Sequence, residues 1–272
     1  MATFSFEGKD IYYEDHGSGK PLLVLNGILM STLSWTSYIE PLSSVNRLIL
    51  MDLLDQGKSA RMDGPYKQDI QTEVVYGLCE HLDIERVNIM GYSYGGKVAL
   101  QFALKYPQRT DRLVLFNTTA ATGPWLQDIG EAWNKAAANN GEAFYLTTIP
   151  IIYSPRFYTE SNDWLTRRRA WLDPLFASED YRSAIMRLTD SGVGYDIRDR
   201  LGEIIAPTLI VSSEHDHLIP IDEQRVLVEG MPNGHHVIIA RSGHGSMYET
   251  PLVFASLIYG FVNNPTLEYN IL

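Results

Sequence analysis

The sequence predicts an α/β fold: a mostly parallel central sheet flanked by helices, with a helical insertion near the middle of the chain. Three observations predict it. Short apolar runs alternate with helical patterns in both the first and the last part of the chain. Most of those runs are continuous rather than alternating, as in parallel strands covered on both faces. The rhythm then breaks between residues 121 and 205, where the pattern turns mostly helical.

The elements follow in order. FSFEG and DIYYEDHG read as a leading hairpin. PLLVLNG (21–27) and RLILMDL (47–53) read as buried strands, and QTEVVYGLCEHLD (71–83) as a helix. VNIMGYS is a strand again. GGKVALQFALKYP is a helix with Val98, Phe102 and Tyr106 spaced by four and Pro107 as its stop. DRLVLFNTT (111–119) is the next strand. Beyond the break, PTLIVSSEHD, IDEQRVLVEG, HHVIIARSG and ETPLVFASLIYGFVN read as strand, helix, strand and helix. Residues 1–120 and 206–272 are therefore expected to form one core, with 121–205 inserted as a helical lid. That segment holds Trp125, Trp133, Trp164 and Trp171, four of the five tryptophans.

At 272 residues and 45% hydrophobic, the chain is long enough for a large core. Its formal net charge is -11, and it has no basic cluster larger than Arg167-Arg168-Arg169, read as a solvated helix face, with contact of one of them with a substrate carboxylate or phosphate as the alternative. Nucleic acid is therefore excluded as a partner. The single cysteine, Cys79, excludes an intramolecular disulfide and a cysteine metal cage. The polar, alternating start has no signal-peptide pattern, and no apolar run approaches the roughly 20 residues of a membrane helix. A soluble, cytoplasmic protein with no membrane span is expected. The sequence leaves its oligomeric state open.

Gly91-Tyr92-Ser93-Tyr94-Gly95 is a G-x-S-x-G motif lying between a buried strand and a helix. That context turns a weak motif into a nucleophile site. Gly91 and Gly95 clear the space a tight strand-to-helix turn requires, and the helix start favours negative charge beside Ser93. A serine needs a base. Of seven histidines only His244 follows an apolar strand among small residues, in ARSGHGSMYETP. The base needs an orienting carboxylate. Asp216 is the chosen one, further into the loop after its strand than the alternative Glu214. Asn117 stands at the other strand end where an acid could have been. Two backbone donors complete the site: the N–H of Tyr94, and the N–H of Ile28 after the Asn26-Gly27 turn.

Together LNGILMSTLSW, MDLLDQGKSA, GYSYGG, SSEHDHLIP and SGHGSMYETP resemble the α/β-hydrolase family over essentially the whole chain. The second segment carries a D-x-x-x-x-G-x-S pattern as Asp52, Gly57 and Ser59. The resemblance implies a Ser93–His244–Asp216 triad, an oxyanion hole at Ile28 and Tyr94, and a lid near 121–205, with no metal or organic cofactor. Many members have His-Gly where this chain has Asn26-Gly27. The Asn-Gly form is similar to members that handle 3-hydroxyacyl groups, which implies acyl acceptors other than water. The expected function is hydrolysis of a carboxylic ester, lactone or thioester of a small apolar substrate through an acyl-enzyme on Ser93. The alternatives are an acyltransferase acting on hydroxyacyl groups and a triad-bearing small-molecule receptor.

Overall fold

The computed structural model describes residues 2–264; Met1 and 265–272, the end of the expected core segment 206–272, lie outside the described residues. The leading hairpin is β1 (Ala2–Phe6) and β2 (Lys9–Gly17). The remaining strands are β3 (Lys20–Leu25), β4 (Asn46–Met51), β5 (Val87–Tyr92), β6 (Thr110–Phe116), β7 (Thr208–Ser213) and β8 (Gly234–Ile239). They form one eight-stranded sheet in the order β1-β2-β4-β3-β5-β6-β7-β8. The hairpin strands pair antiparallel, and every pair from β4 to β8 is parallel.

The continuous apolar runs have the expected cause. Along β3, Leu23 and Leu25 enter one core while Leu22 and Val24 enter the other. β6 divides in the same way, Leu113 and Leu115 against Val114 and Phe116. A period of two with both faces buried leaves no polar position to alternate with.

The first core packs under α2 (Asp69–His81) and α3 (Tyr94–Lys105), which follow a short α1 (Ile39–Ser43). The second packs under α11 (Pro251–Asn263), with Phe254 stacked against Trp35 and tilted against Phe116. Trp35 lies in a 3-10 turn at Thr32–Tyr38 that the sequence reading left unassigned. That stretch is too short and polar for a periodic signal, and tertiary packing of Trp35 and Tyr38 decides it.

Between β6 and β7 the chain builds five helices: α4 (Pro124–Asn139), α5 (Gly141–Ile152), α6 (Pro155–Glu160), α7 (Asn162–Ala177) and α8 (Glu179–Ser191). α9 (Ile221–Gly230) and a one-turn α10 (Ser246–Glu249) complete the chain before α11. No described helix is long and apolar enough to cross a membrane.

Among the polar contacts that bind the five-helix insertion to the rest of the chain, two centre on carboxylates of the core. Arg187 of α8 donates from two nitrogens to the buried Asp55 carboxylate, at 2.6 and 3.0 Å. Glu249 accepts from the Ser154 N–H (2.9 Å), the Ser154 hydroxyl (2.6 Å) and the Gly243 N–H (3.1 Å).

Candidate active site

β3 lies between β4 and β5, so the chain runs in opposite directions across the sheet from this strand. A crevice opens at the carboxyl ends of strands at such a switch point. The turn after β3 carries Gly27 and Ile28, and the turn after β5 carries Ser93.

Ser93 stands between β5 and α3 with φ 52 and ψ −111. A non-glycine residue there is strained by about 1–3 kcal/mol, and the surroundings must hold it. They do. Its N–H bonds to the Phe116 carbonyl at 2.9 Å, and its carbonyl accepts from the Thr118 hydroxyl at 2.8 Å. A Cβ on Gly91 would come within 2.7 Å of the Gly95 carbonyl oxygen. One on Gly95 would collide with the Leu25 carbonyl. Side chains at either position would push α3 off the sheet.

His244 and Asp216 come together across 28 residues of sequence. His244 Nδ1 lies 2.8 Å from Asp216 Oδ2, and both groups are buried. The other Asp216 oxygen accepts from the N–H groups of Leu218 and Ile219, at 2.9 and 2.8 Å. Those bonds lock the carboxylate while leaving one oxygen for the imidazole. Glu214 is elsewhere: half-exposed, it accepts from the Arg241 N–H at 2.7 Å. The His244 backbone is pinned too. Its carbonyl accepts from the Tyr92 hydroxyl and, at 2.9 Å, from Asn117 Nδ2. Asn117 thus sits at its strand end as an anchor for the histidine loop, with φ 49. Sequence reasoning weighed that position only for an acid and missed the anchor.

The N–H groups of Ile28 and Tyr94 have no acceptor among the described residues, and both residues line the cavity that also holds Ser93 and His244. The turn presenting Ile28 rests on a buried polar network. Asn26 Nδ2 donates to the Met51 carbonyl (2.9 Å) and Gln56 Oε1 (3.2 Å), while its Oδ1 accepts from Trp35 Nε1 (2.6 Å). Gln56 Nε2 returns to the Gly27 carbonyl at 2.9 Å. Asp52 accepts from the N–H groups of Thr32 (2.7 Å) and Lys58 (2.9 Å). Burial pushes its carboxyl above the ordinary range, and those two N–H bonds oppose the shift. Gly57, at φ +43, leaves the room this carboxylate occupies. Ser59 Oγ donates to the Asp52 carbonyl at 2.5 Å and accepts from the Tyr12 N–H at 2.9 Å. Asn26 is fully buried and its side chain is spent within this network. Gln56 and Trp35 lie within segments that resemble the family, but sequence alone assigns them no role, and only the folded chain shows that they join this network.

The cavity has a volume of about 570 Å³. The insertion supplies much of its wall, including Trp133, Ile149, Tyr153, Leu172, Phe176 and Met186. Trp125 and Trp171 are instead exposed at 55% and 46%, so of the insertion's four tryptophans only Trp133 lines the cavity. The reading of Arg167–Arg169 as a solvated face needs correction at Arg168. This residue is half-buried and lines the cavity, donates to the Tyr248 hydroxyl at 3.2 Å and stacks over the rings of Trp171 and Tyr248. Its neighbour Trp164 packs in an aromatic cluster with Tyr153 and Tyr248, which draws this stretch of α7 inward. Among the described residues no group of three or more His, Cys, Asp or Glu side chains could hold a metal ion.

Comparison with known proteins bears on the fold and the family. A structure of MGS-M2, an α/β hydrolase enzyme from a Medee basin deep-sea metagenome library, is 45% identical. It superposes with a TM-score of 0.97 over 99% of this chain and 100% of its own. A putative carbamate hydrolase RutD of Azorhizobium caulinodans is 28% identical over 93% of this chain and 94% of its own. A 2-hydroxy-6-oxononadienedioate/2-hydroxy-6-oxononatrienedioate hydrolase of Paraburkholderia xenovorans is 30% identical over 93% of this chain and 90% of its own. The sequence profile of the alpha/beta hydrolase fold matches residues 20–251, and on that extent the chain belongs to the α/β hydrolase fold family.

Proposed function

We propose that this α/β hydrolase cleaves a carboxylic ester, lactone or thioester of a small, largely apolar substrate through an acyl-enzyme on Ser93. The observation that carries the reading is the strained Ser93 elbow facing one cavity with a His244 whose Nδ1 is held 2.8 Å from Asp216. His244 Nε2 takes the Ser93 proton as Oγ attacks the carbonyl carbon. The Ile28 and Tyr94 N–H groups, which have no other acceptor among the described residues, receive the oxyanion. The start of the twelve-residue α3 adds its dipole. The imidazolium then protonates the departing alkoxide or thiolate. In the second half His244 takes a proton from water, the hydroxide attacks the acyl carbon, and Ser93 leaves with its proton restored. Asp216 keeps the imidazole in the tautomer with the proton on Nδ1 and stabilises its cation.

Residues 121–205 act in this reading as the lid, with 1–120 and 206–272 as the catalytic core. The apolar wall from Trp133, Ile149, Tyr153 and Phe176 supports an apolar substrate body. For the acyltransferase alternative, Asn26 contributes only through the turn it holds, since its side-chain atoms bond within the protein. The names of the two relatives support a second reading, in which the same nucleophile and oxyanion pocket attack a carbamate or an oxo-acid carbonyl.

The test is labelling with a fluorophosphonate probe, followed by turnover of neutral p-nitrophenyl esters, carbamates and 2-hydroxy-6-oxo acids side by side. Ser93 should be labelled, Ser93→Ala should not, and the esters should turn over fastest. Equal labelling of Ser93→Ala would remove Ser93 as nucleophile. Faster turnover of carbamates or oxo acids would replace the ester reading by the second.

A further inference from the structure

Lys97 lies one helical turn beyond Ser93, with its N–H directed to the Ser93 carbonyl at 3.3 Å. Its neighbours on α3 from Tyr94 to Leu100 are all buried, and Lys97 itself is only 6% exposed. A charged ammonium in such a place is costly unless it is paired. This one has a single hydrogen bond among the described residues, to Thr122 Oγ1 at 2.9 Å. Thr122 Oγ1 donates its own proton to the Gly192 carbonyl at 2.7 Å, so it can only accept from the lysine. Two of the three ammonium protons are left uncommitted. The Tyr195 ring lies 5.3 Å away, and no carboxylate neighbours the ammonium among the described residues.

The carboxylates nearest in the cavity wall are engaged elsewhere. Asp190 accepts from Asn134 Nδ2 at 2.7 Å, and Glu131 pairs with Lys135 at 2.6 Å. Arg168, the other inner cation, is sandwiched between Trp171 and Tyr248. Lys97, Thr122 and Gly192 line the same cavity as Ser93 and His244. Burial pulls the lysine down to about 8, so it is still largely cationic at neutral pH.

We propose that Lys97, beside Thr122 and Gly192, forms a carboxylate subsite, so that the preferred substrate joins its apolar body to an acid group remote from the scissile bond. This rests on the ester-hydrolase reading for the scissile bond, but the subsite can be tested without any turnover.

The test compares binding of 6-phenylhexanoate and 6-phenylhexan-1-ol to the full-length protein by calorimetry, in the wild type and in Lys97→Met. The wild type should prefer the carboxylate at least tenfold, and Lys97→Met should lose that preference. In the wild type the preference should also fall as pH rises from about 7 to about 9.5, because Lys97 loses its proton in that window. A bound carboxylate will move the loss towards the upper end. The same pH series in Lys97→Met controls for the other ionisable groups facing the cavity, Arg168, Asp190, Glu131, Lys135 and His244, and for Tyr195 against the ammonium. Equal affinity for acid and alcohol overturns the proposal. So does a preference kept in Lys97→Met, or one that is flat with pH. A carboxylate preference without fluorophosphonate labelling would leave the subsite and sink the hydrolase reading; labelling without a preference would do the reverse.

Discussion

The loops at the carboxyl edge of the sheet and the helices of residues 124–191 meet at one cavity, but they are built by opposite means. The edge is held by named polar bonds: Asn26, Asp52 and Gln56 beneath the Ile28 turn, and Asn117 and Asp216 behind His244. Most of these groups are fully buried, so each unmade bond carries the full cost of desolvation. The helices instead pack by apolar and aromatic contact, and are tied to the core by the Asp55–Arg187 and Glu249–Ser154 contacts. Their aromatic residues are shared among the cavity wall (Trp133, Tyr153), the packing between the helices (Phe144, Tyr145, Trp164) and solvent (Trp125, Trp171). A region that must hold atoms to a fraction of an ångström is overdetermined. In the proposed function, the region that fits a substrate's bulk is defined by volume.

The sharpest way to break this comparison is at the acid. Asp216→Asn should cost about 10⁴-fold in kcat, the cost of the same change in a serine protease, since the amide favours the wrong imidazole tautomer. Glu214→Gln, two residues away and directed to Arg241, should stay within about twofold. A reversed ranking in steady-state kinetics would move the acid to Glu214 and show that edge contacts do not predict function.

Asn26→Leu tests whether the buried network serves the site or only the fold. The substitution keeps the volume but orphans Trp35 Nε1 and the Met51 carbonyl. Stability should fall by about 2–4 kcal/mol. With the Ile28 turn loosened, kcat should fall roughly tenfold to a hundredfold. Thermal unfolding and kcat are measured on the same preparation. A lower Tm with an unchanged kcat would make the network structural only.

The smallest effects belong to the insertion. Along p-nitrophenyl esters from about two to ten carbons, kcat/KM should rise by up to about fourfold per added CH₂ until the cavity fills, since each buried methylene contributes about 0.8 kcal/mol. A peak at acetate would mean that Trp133, Tyr153 and Phe176 close the space themselves. The helices would then be a packed layer, not a wall shaped for a substrate.

Much of this was legible in the order of residues alone. Continuous apolar runs announce parallel strands because both faces of β3 and β6 are buried. Gly91 and Gly95 mark the elbow because backbone approaches that close tolerate no Cβ, wherever they occur. His244 is legible because a histidine among small residues after a strand has few structural uses. Other features were decided by tertiary structure. Glu214 and Asp216 differ by two positions, and only the loop's path turns one towards His244 and the other towards Arg241. Asn117 looks like a strand-end residue until the His244 carbonyl arrives from 127 residues away. Lys97 reads as one polar residue on a helix, and its unpaired charge exists only because the chain at Thr122 and Gly192 closes over it. Arg168 reads as solvated in the sequence, and only the fold lays it against the rings of Trp171 and Tyr248. The physical reason is common to all four. Periodicity and steric clearance act between near neighbours, so sequence carries them directly. Pairing, burial and charge depend on segments far apart in the chain, and only the fold sets which of them meet.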